Sequence, residues 1–213
     1  MDPVPAEHEV VVADDVSTDA TAAVAGQHGA RVIRVAHRQI SATRNAGVRE
    51  ARGEMLFFVD ADTLVNATVI QSALSAIRGG AIGGGCVPRF EGWLPLWFRT
   101  MYPVMVFAMR WVLRQTGGAC LFCTRAGFEA TGGFSEAHFA AEEEVWVKAL
   151  KRHGRFVVLA EPVVISGRSL RTQSFWIIAR VFTRLALRGA DGFRDREGLD
   201  LWYRPSREKA GRS

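Results

Sequence analysis

The stretch Gly53-Glu-Met-Leu-Phe-Phe-Val-Asp-Ala-Asp-Thr63 constrains the fold more than any other part of the chain. Met55 to Val59 is an unbroken apolar run of five residues. A run of that length suits a strand buried on both faces, as in a parallel sheet. Gly53 ahead of it predicts the stop of a preceding helix. The run ends in two carboxylates, Asp60 and Asp62, separated by the small Ala61. Two ionised acids so close repel each other and call for a cation. In open α/β sheets ligands bind at the carboxyl ends of the strands. Hard divalent ions such as Mg²⁺ and Mn²⁺ take carboxylate oxygens and share their coordination with substrate phosphates. Asp60 and Asp62 are therefore candidate holders of a metal–diphosphate, against the plainer reading of a polar strand end leading into a turn.

The surrounding chain alternates strand and helix. Glu9-Val-Val-Val-Ala13 predicts a first strand that also ends in acids, Asp14 and Asp15. Ser17, Thr18 and Asp19 are candidate caps for a helix stopping at Gly29. Arg31–Val35 reads as a strand and Ser41–Ala51 as a helix before Gly53. Asn66 caps a helix with Val69, Ile70, Ala73, Leu74 and Ile77 on one face, ended by Gly79 and Gly80. This alternation implies a parallel sheet with right-handed crossovers. No strand and helix precede the first strand, which begins nine residues in.

Further on, Ala81–Val87 is a glycine-rich strand whose Gly83-Gly84-Gly85 would let a ligand approach the backbone. It lacks the Gly-x-Gly-x-x-Gly fingerprint of a dinucleotide site, which makes an oxidoreductase a weak reading. Trp93–Leu113 is rich in aromatics and Met but is broken by Pro95, Pro103, Arg99 and Arg110. It is too polar to span a bilayer; it fits either an interfacial helix or one packed on the domain or on a second copy. Residues 117–123 predict a strand on which Cys120 and Cys123, three apart, face opposite sides as small buried hydrophobes. A short helix is expected from Phe128 to Phe134, and Glu142-Glu143-Glu144 opens another that stops at Gly154. Acids in a first turn suit the helix dipole, while a functional reading makes one of them a general base. Arg155–Leu159 and Pro162–Ile165 are short extended pieces, and Gln173–Arg188 is a basic amphipathic helix.

Charge is divided unevenly. Residues 1–147 carry 12 Lys/Arg against 16 Asp/Glu, whereas residues 148–213 carry 15 against 6. Arg scattered among apolar residues in that basic third favours an anionic membrane surface over nucleic acid as a partner, beside a merely solvated basic face. Three cysteines argue against a disulfide framework and for a reducing compartment. No signal peptide and no apolar run of spanning length is visible. The expected location is cytoplasmic, with peripheral attachment to the inner face of the cell membrane. The expected domain organisation is one unit over residues 1–172 and a basic helix and tail over 173–213.

Four stretches stand in one order: Val11-Val-Ala-Asp-Asp-Val-Ser-Thr-Asp-Ala-Thr21, Ser41-Ala-Thr-Arg-Asn-Ala-Gly47, the Asp-Ala-Asp strand, and Glu142-Glu143 after Gly132-Gly-Phe134. Together they resemble the family 2 glycosyltransferases of the GT-A fold, over roughly residues 9–170. The resemblance implies a mostly parallel central sheet flanked by helices, with amphipathic helices in the C-terminal half. It implies transfer of a sugar from a nucleotide-sugar donor to a glycan or lipid-linked acceptor, with Mn²⁺ or Mg²⁺ as cofactor and no nucleic acid partner. Asp14 or Asp15 would hold the uracil or ribose, Arg44 would contact the nucleotide or diphosphate, and Asp60 and Asp62 would hold the metal, Asp62 more directly. Glu143 matches the family's general base, with Glu142 before it, and a base opposite the leaving group implies inversion by single displacement. The match starts at the family's second strand. Val16 stands where glycine is common, and Ser166 near where many members place a metal-binding His. Two other readings use the same residues: a nucleotidyltransferase, or a catalytically silent domain that binds a partner.

Overall fold

A computed structural model describes residues 7–112, 114–116 and 118–166, with Thr183, Phe193, Arg194 and Leu199 as isolated positions. The expected helix over 173–188 and the separate C-terminal unit lie outside the described residues.

The elements follow in order: β1 (Val11–Asp15), α1 (Thr21–Gln27), β2 (Arg31–Val35), α2 (Ile40–Glu50), β3 (Met55–Val59), β4 (Thr63–Leu64), α3 (Ala67–Arg78), β5 (Ala81–Gly85) and β6 (Pro88–Glu91). Then come α4 (Leu96–Phe107), which runs on as a π-helical turn over Ala108–Val112, β7 (Cys120–Thr124), α5 (Arg125–Thr131), α6 (Glu142–His153), β8 (Arg155–Val158) and β9 (Val163–Ser166). Local chemistry sets several ends. The Asn66 side chain accepts from the Val69 amide at 2.9 Å and so starts α3. Gly132, at φ +74°, ends α5 in the left-handed conformation that favours glycine.

The strands form three sheets: β1–β2, a four-stranded sheet in the order β3-β7-β5-β8, and a three-stranded one in the order β4-β9-β6. β1 and β2 are parallel, as are β5 and β8. In the four-stranded sheet β3, β5 and β8 run one way, as a mostly parallel sheet requires. β7 is inserted between β3 and β5 and runs against both, so the sheet is mixed. Its insertion gives the apolar β3 an antiparallel partner across all five residues, from Met55 opposite Thr124 to Val59 opposite Cys120.

Side-chain alternation then builds a core on each face. Leu56 and Phe58 of β3 join Leu121 and Cys123 of β7 beneath Val48 of α2, Phe128 of α5 and Trp146, Val147 and Leu150 of α6. Met55 and Phe57 join Cys120 and Phe122 on the opposite face, under Val69 and Ala73 of α3. Cys120 and Cys123 thus sit on opposite faces, buried and free, as the strand spacing predicts. Phe58 anchors the first core with ring contacts to Phe134 at 4.9 Å, Trp146 at 5.6 Å and Phe128 at 5.7 Å.

The glycines of β5 do not open the backbone to a ligand, contrary to the sequence reading. A Cβ on Gly83 would meet the Phe122 carbonyl oxygen at 2.6 Å, and one on Gly84 or Gly85 would run into Val157 or Thr116. They let β7, β8 and the segment before β7 pack closely on β5.

Candidate active site

The site is organised by three consecutive residues of α2. Successive helical positions point about 100° apart, so Thr43, Arg44 and Asn45 reach three different neighbours. The Thr43 hydroxyl donates to Asp15 at 2.9 Å. Asn45 clamps the loop before α6: its amide donates to the Phe134 carbonyl and the Glu136 carboxylate, both at 2.9 Å, and its oxygen accepts from the Phe134 amide at 3.0 Å. Gln39, just before the helix, donates to the carbonyls of Glu136 at 2.7 Å and His138 at 3.3 Å.

Arg44 lies between them and faces the ends of β3 and α6. Its guanidinium donates to Asp60 at 2.7 Å, to Glu142 at 3.0 Å and to the Gly118 carbonyl at 3.2 Å. It also lies over the Phe134 ring, 5.3 Å from the centroid. Burial works against its charge, but Asp60, Glu142 and Glu143 hold it firmly protonated. The two carboxylate stretches singled out in the sequence are therefore brought together on one largely buried cation.

The three acids opening α6 have different surroundings. Glu142 is buried, and burial together with the neighbouring Glu143 pushes its carboxyl up to about 8 against the pull of Arg44. Glu143 is half-buried and lies beside Gly118, whose added Cβ would come within 3.4 Å of its carboxyl carbon. Glu144 pairs with Lys148 one turn along, at 2.6 Å. It thus serves the helix surface and dipole.

Asp14 and Asp15 separate. Asp14 is buried and accepts from the Ser17 amide at 3.0 Å. Asp15 accepts from the amides of Arg38 at 2.9 Å and Gln39 at 3.1 Å besides the Thr43 hydroxyl. Burial raises its carboxyl, but these donors outweigh that and hold it below the usual Asp range. Neither is in direct contact with the Arg44 cluster; Asp15 reaches it only through α2. Val16, which follows, sits at φ +64°, a left-handed conformation strained for a β-branched residue. That is the conformation for which glycine would serve at this position.

Asp60 is about half exposed, its side chain 42% accessible, and its amide donates to the Ala119 carbonyl at 3.1 Å. The Asp62 carbonyl accepts from the Ser166 amide at 3.3 Å, so Ser166 stands beside the Asp-Ala-Asp turn. The hydroxyl of Thr63, the next residue, is buried with no hydrogen-bond partner among the described residues. No group of three or more His, Cys, Asp or Glu suited to a metal occurs among the described residues. Asp60 and Asp62 are hard carboxylates, a donor type that suits an ion drawing its remaining oxygens from a phosphate and water.

Sequence reasoning picked out Arg44 but passed over Gln39, Thr43, Asn45 and the Gly118 carbonyl. The polar run Thr43-Arg44-Asn45, set between the small pairs Ser41-Ala42 and Ala46-Gly47, was the available signal.

The chain matches the family model for glycosyl transferase family 2 over residues 5–132. No curated protein matches it. Among solved structures it is similar to a mannosyltransferase, PcManGT, from Pyrobaculum calidifontis in complex with GDP-Man and Mn²⁺, at 22% identity and TM-score 0.57, over 82% of this chain and 55% of that one. S. aureus TarS, as its 1–349 fragment, is similar at 17% identity and TM-score 0.54, over 86% and 58% of the two chains. A mycobacterial protein is similar at 16% identity and TM-score 0.53, over 86% and 64%. At these identities the likeness speaks to the fold, and the chain spans less than two thirds of each of those structures.

Proposed function

Because the chain belongs to glycosyl transferase family 2, we propose that it transfers a sugar from a nucleotide-diphosphate donor to an acceptor hydroxyl. One observation carries the reading: Arg44 joins Asp60, at the end of β3, to Glu142, at the start of α6. Glycosyl transfer needs a place where a diphosphate leaves and, across from it, a carboxylate that takes the acceptor's proton. Asp60 is the candidate for the first, and the contact to Glu142 brings the start of α6, with Glu143, to face it.

In this reading Asp60 and Asp62 hold Mn²⁺ or Mg²⁺, and the Mn²⁺ and GDP-Man present in the mannosyltransferase structure support testing that pair first. The ion, when bound, neutralises charge on the departing diphosphate. Arg44 keeps a fixed positive charge beside Asp60 and orients Glu142. Asp15, held by the start of α2, and Asp14 border the nucleoside side. Glu143 is the base: the acceptor oxygen attacks the anomeric carbon, its proton passes to Glu143, and the bond from that carbon to the diphosphate oxygen breaks. Attack opposite the leaving group inverts the anomeric centre. Glu142 is the less suitable base, because it is buried and its carboxyl is already raised to about 8.

The test is a screen of nucleotide-sugars for transfer and hydrolysis, followed by substitution. Losing a general base costs about 10²- to 10⁴-fold in rate while binding survives. Glu143→Gln should therefore nearly abolish transfer at unchanged donor affinity, and Glu144→Gln should do little. Similar behaviour of the two variants, or near-normal transfer by Glu143→Gln, refutes the assignment.

A further inference from the structure

The outer face of α4 is apolar where a helix surface is ordinarily polar. Its inner face is accounted for: Phe98 packs on Phe90 of β6 at 5.2 Å between ring centroids, and Tyr102 on Phe90 at 5.7 Å. Outside, Trp93, Leu96, Met101, Val104, Phe107, Trp111 and Val112 are exposed, Val104 at 70% and Phe107 at 61%. Leu96, Thr100, Val104, Phe107 and Trp111 recur at spacings of three and four, so they form one stripe along the helix. A helix apolar on both faces needs a second apolar phase or partner against the outer one.

Charge identifies that partner. No acidic residue occurs between Glu91 and Glu129, whereas Arg99, Arg110 and Arg114 flank the stripe. A second copy meeting this face through a two-fold axis would set Arg against Arg. The remaining amphipathic stretch of this chain, 173–188, carries Arg180, Arg184 and Arg188 and no acid, so it has the same sign. An anionic lipid surface has the opposite sign and also accepts the apolar stripe. Trp93 and Trp111 at its two ends are the side chains that settle at a membrane–water boundary. Among the described residues no helix is long and apolar enough to cross a bilayer, which leaves α4 to lie in the plane of the surface.

We propose that α4 and its π-helical extension dock the protein on an anionic bilayer, apolar stripe down. The helix that carries this face is tied to the candidate site at both ends. β6, on which α4 rests, shares a sheet with β4, which directly follows Asp62. Past the extension the chain reaches Gly118, whose carbonyl accepts from Arg44. On the sugar-transfer reading, and only on it, this arrangement makes the acceptor a hydroxyl carried by a lipid. The docking itself does not depend on that reading.

The experiment is flotation of the full chain with vesicles of phosphatidylcholine alone or mixed with phosphatidylglycerol, at low and high salt. It is run beside Val104→Glu/Phe107→Glu, with thermal melts, light scattering and donor-binding calorimetry on both proteins. The expected result is a monomer that floats with the mixed vesicles at low salt and is released by high salt. The double variant should lose at least about tenfold of that binding, since two large side chains no longer leave water, with melting and donor affinity unchanged. Failure of the unaltered chain to float overturns the proposal. So does equal flotation of the variant, which would assign attachment to 173–188. A dimer that the variant dissociates, or a variant that melts well below the unaltered chain, assigns the stripe to a second copy or to internal packing and also overturns it. Loss of donor binding in both proteins would strike the sugar-transfer reading and leave the docking result standing.

Discussion

Replacing Arg44 by Leu tests the central contact of the site. The substitution removes hydrogen bonds of 2.7 Å to Asp60, 3.0 Å to Glu142 and 3.2 Å to the Gly118 carbonyl. The three losses are unequal. Asp60 is about half exposed, so water replaces its partner, and such a pair contributes no more than about 1 kcal/mol. Glu142 is buried and, with its carboxyl raised to about 8, is mostly protonated near neutral pH, so what is lost there is a hydrogen bond from a charged donor, about 1.5–3 kcal/mol. As pH rises through about 8 and Glu142 ionises, the loss should grow toward the roughly 3–5 kcal/mol of a broken buried ion pair. The expected loss near neutral pH is therefore about 2–4 kcal/mol, a sizeable share of the roughly 5–15 kcal/mol that stabilises a domain. Arg44→Leu/Glu142→Leu removes the stranded acid as well and should recover most of the loss, while leaving sugar transfer abolished. Equilibrium urea unfolding followed by tryptophan fluorescence measures both variants. A single variant within about 1 kcal/mol of the unaltered protein, or a double variant no more stable than the single, refutes the argument from burial.

Two further outcomes follow from named positions. The Glu142 carboxyl is raised from 4.5 to about 8 on folding, so between those values the folded chain holds a proton that the unfolded chain releases. Its contribution therefore favours folding at the acid end of that window and is lost as pH rises through it; Glu142→Gln should flatten the corresponding fall in melting temperature, and an unchanged pH profile would contradict the shift. Val16→Gly relieves a left-handed backbone worth about 1–2 kcal/mol at the expense of about 0.5–1 kcal/mol of chain entropy. A small rise in melting temperature is expected, and a fall would mean that Val16 is not strained.

Where the sequence was legible, a single physical rule decided the outcome. Met55–Val59 forms the strand its apolar run predicts, with Leu56 and Phe58 buried on one face and Met55 and Phe57 half-buried on the other. Asn66 caps its helix because a local side-chain oxygen meets a local amide. The direction of β7 was not legible, because either orientation satisfies an apolar strand and the partner is chosen by tertiary packing. The β5 glycines were misread because strand-on-strand packing and ligand approach both demand a missing Cβ. In the site, acid pairs and a lone Arg stood out as charges. Which of Glu142, Glu143 and Glu144 is buried depends on the phase of α6 against the core, set by Trp146, Val147 and Leu150. Thr43 and Asn45 were overlooked because their partners, Asp15, Phe134 and Glu136, are distant in the chain.

The most direct test of the functional account is calorimetric titration of the protein with UDP-, GDP- and TDP-sugars in Mn²⁺ and in EDTA, repeated with Asp62→Asn. The account predicts saturable binding of at least one donor in Mn²⁺ that EDTA abolishes and Asp62→Asn weakens at least about tenfold, in proportion to the loss of one of two carboxylate ligands. Equal binding in EDTA, or no binding of any nucleotide-sugar in Mn²⁺, would contradict it.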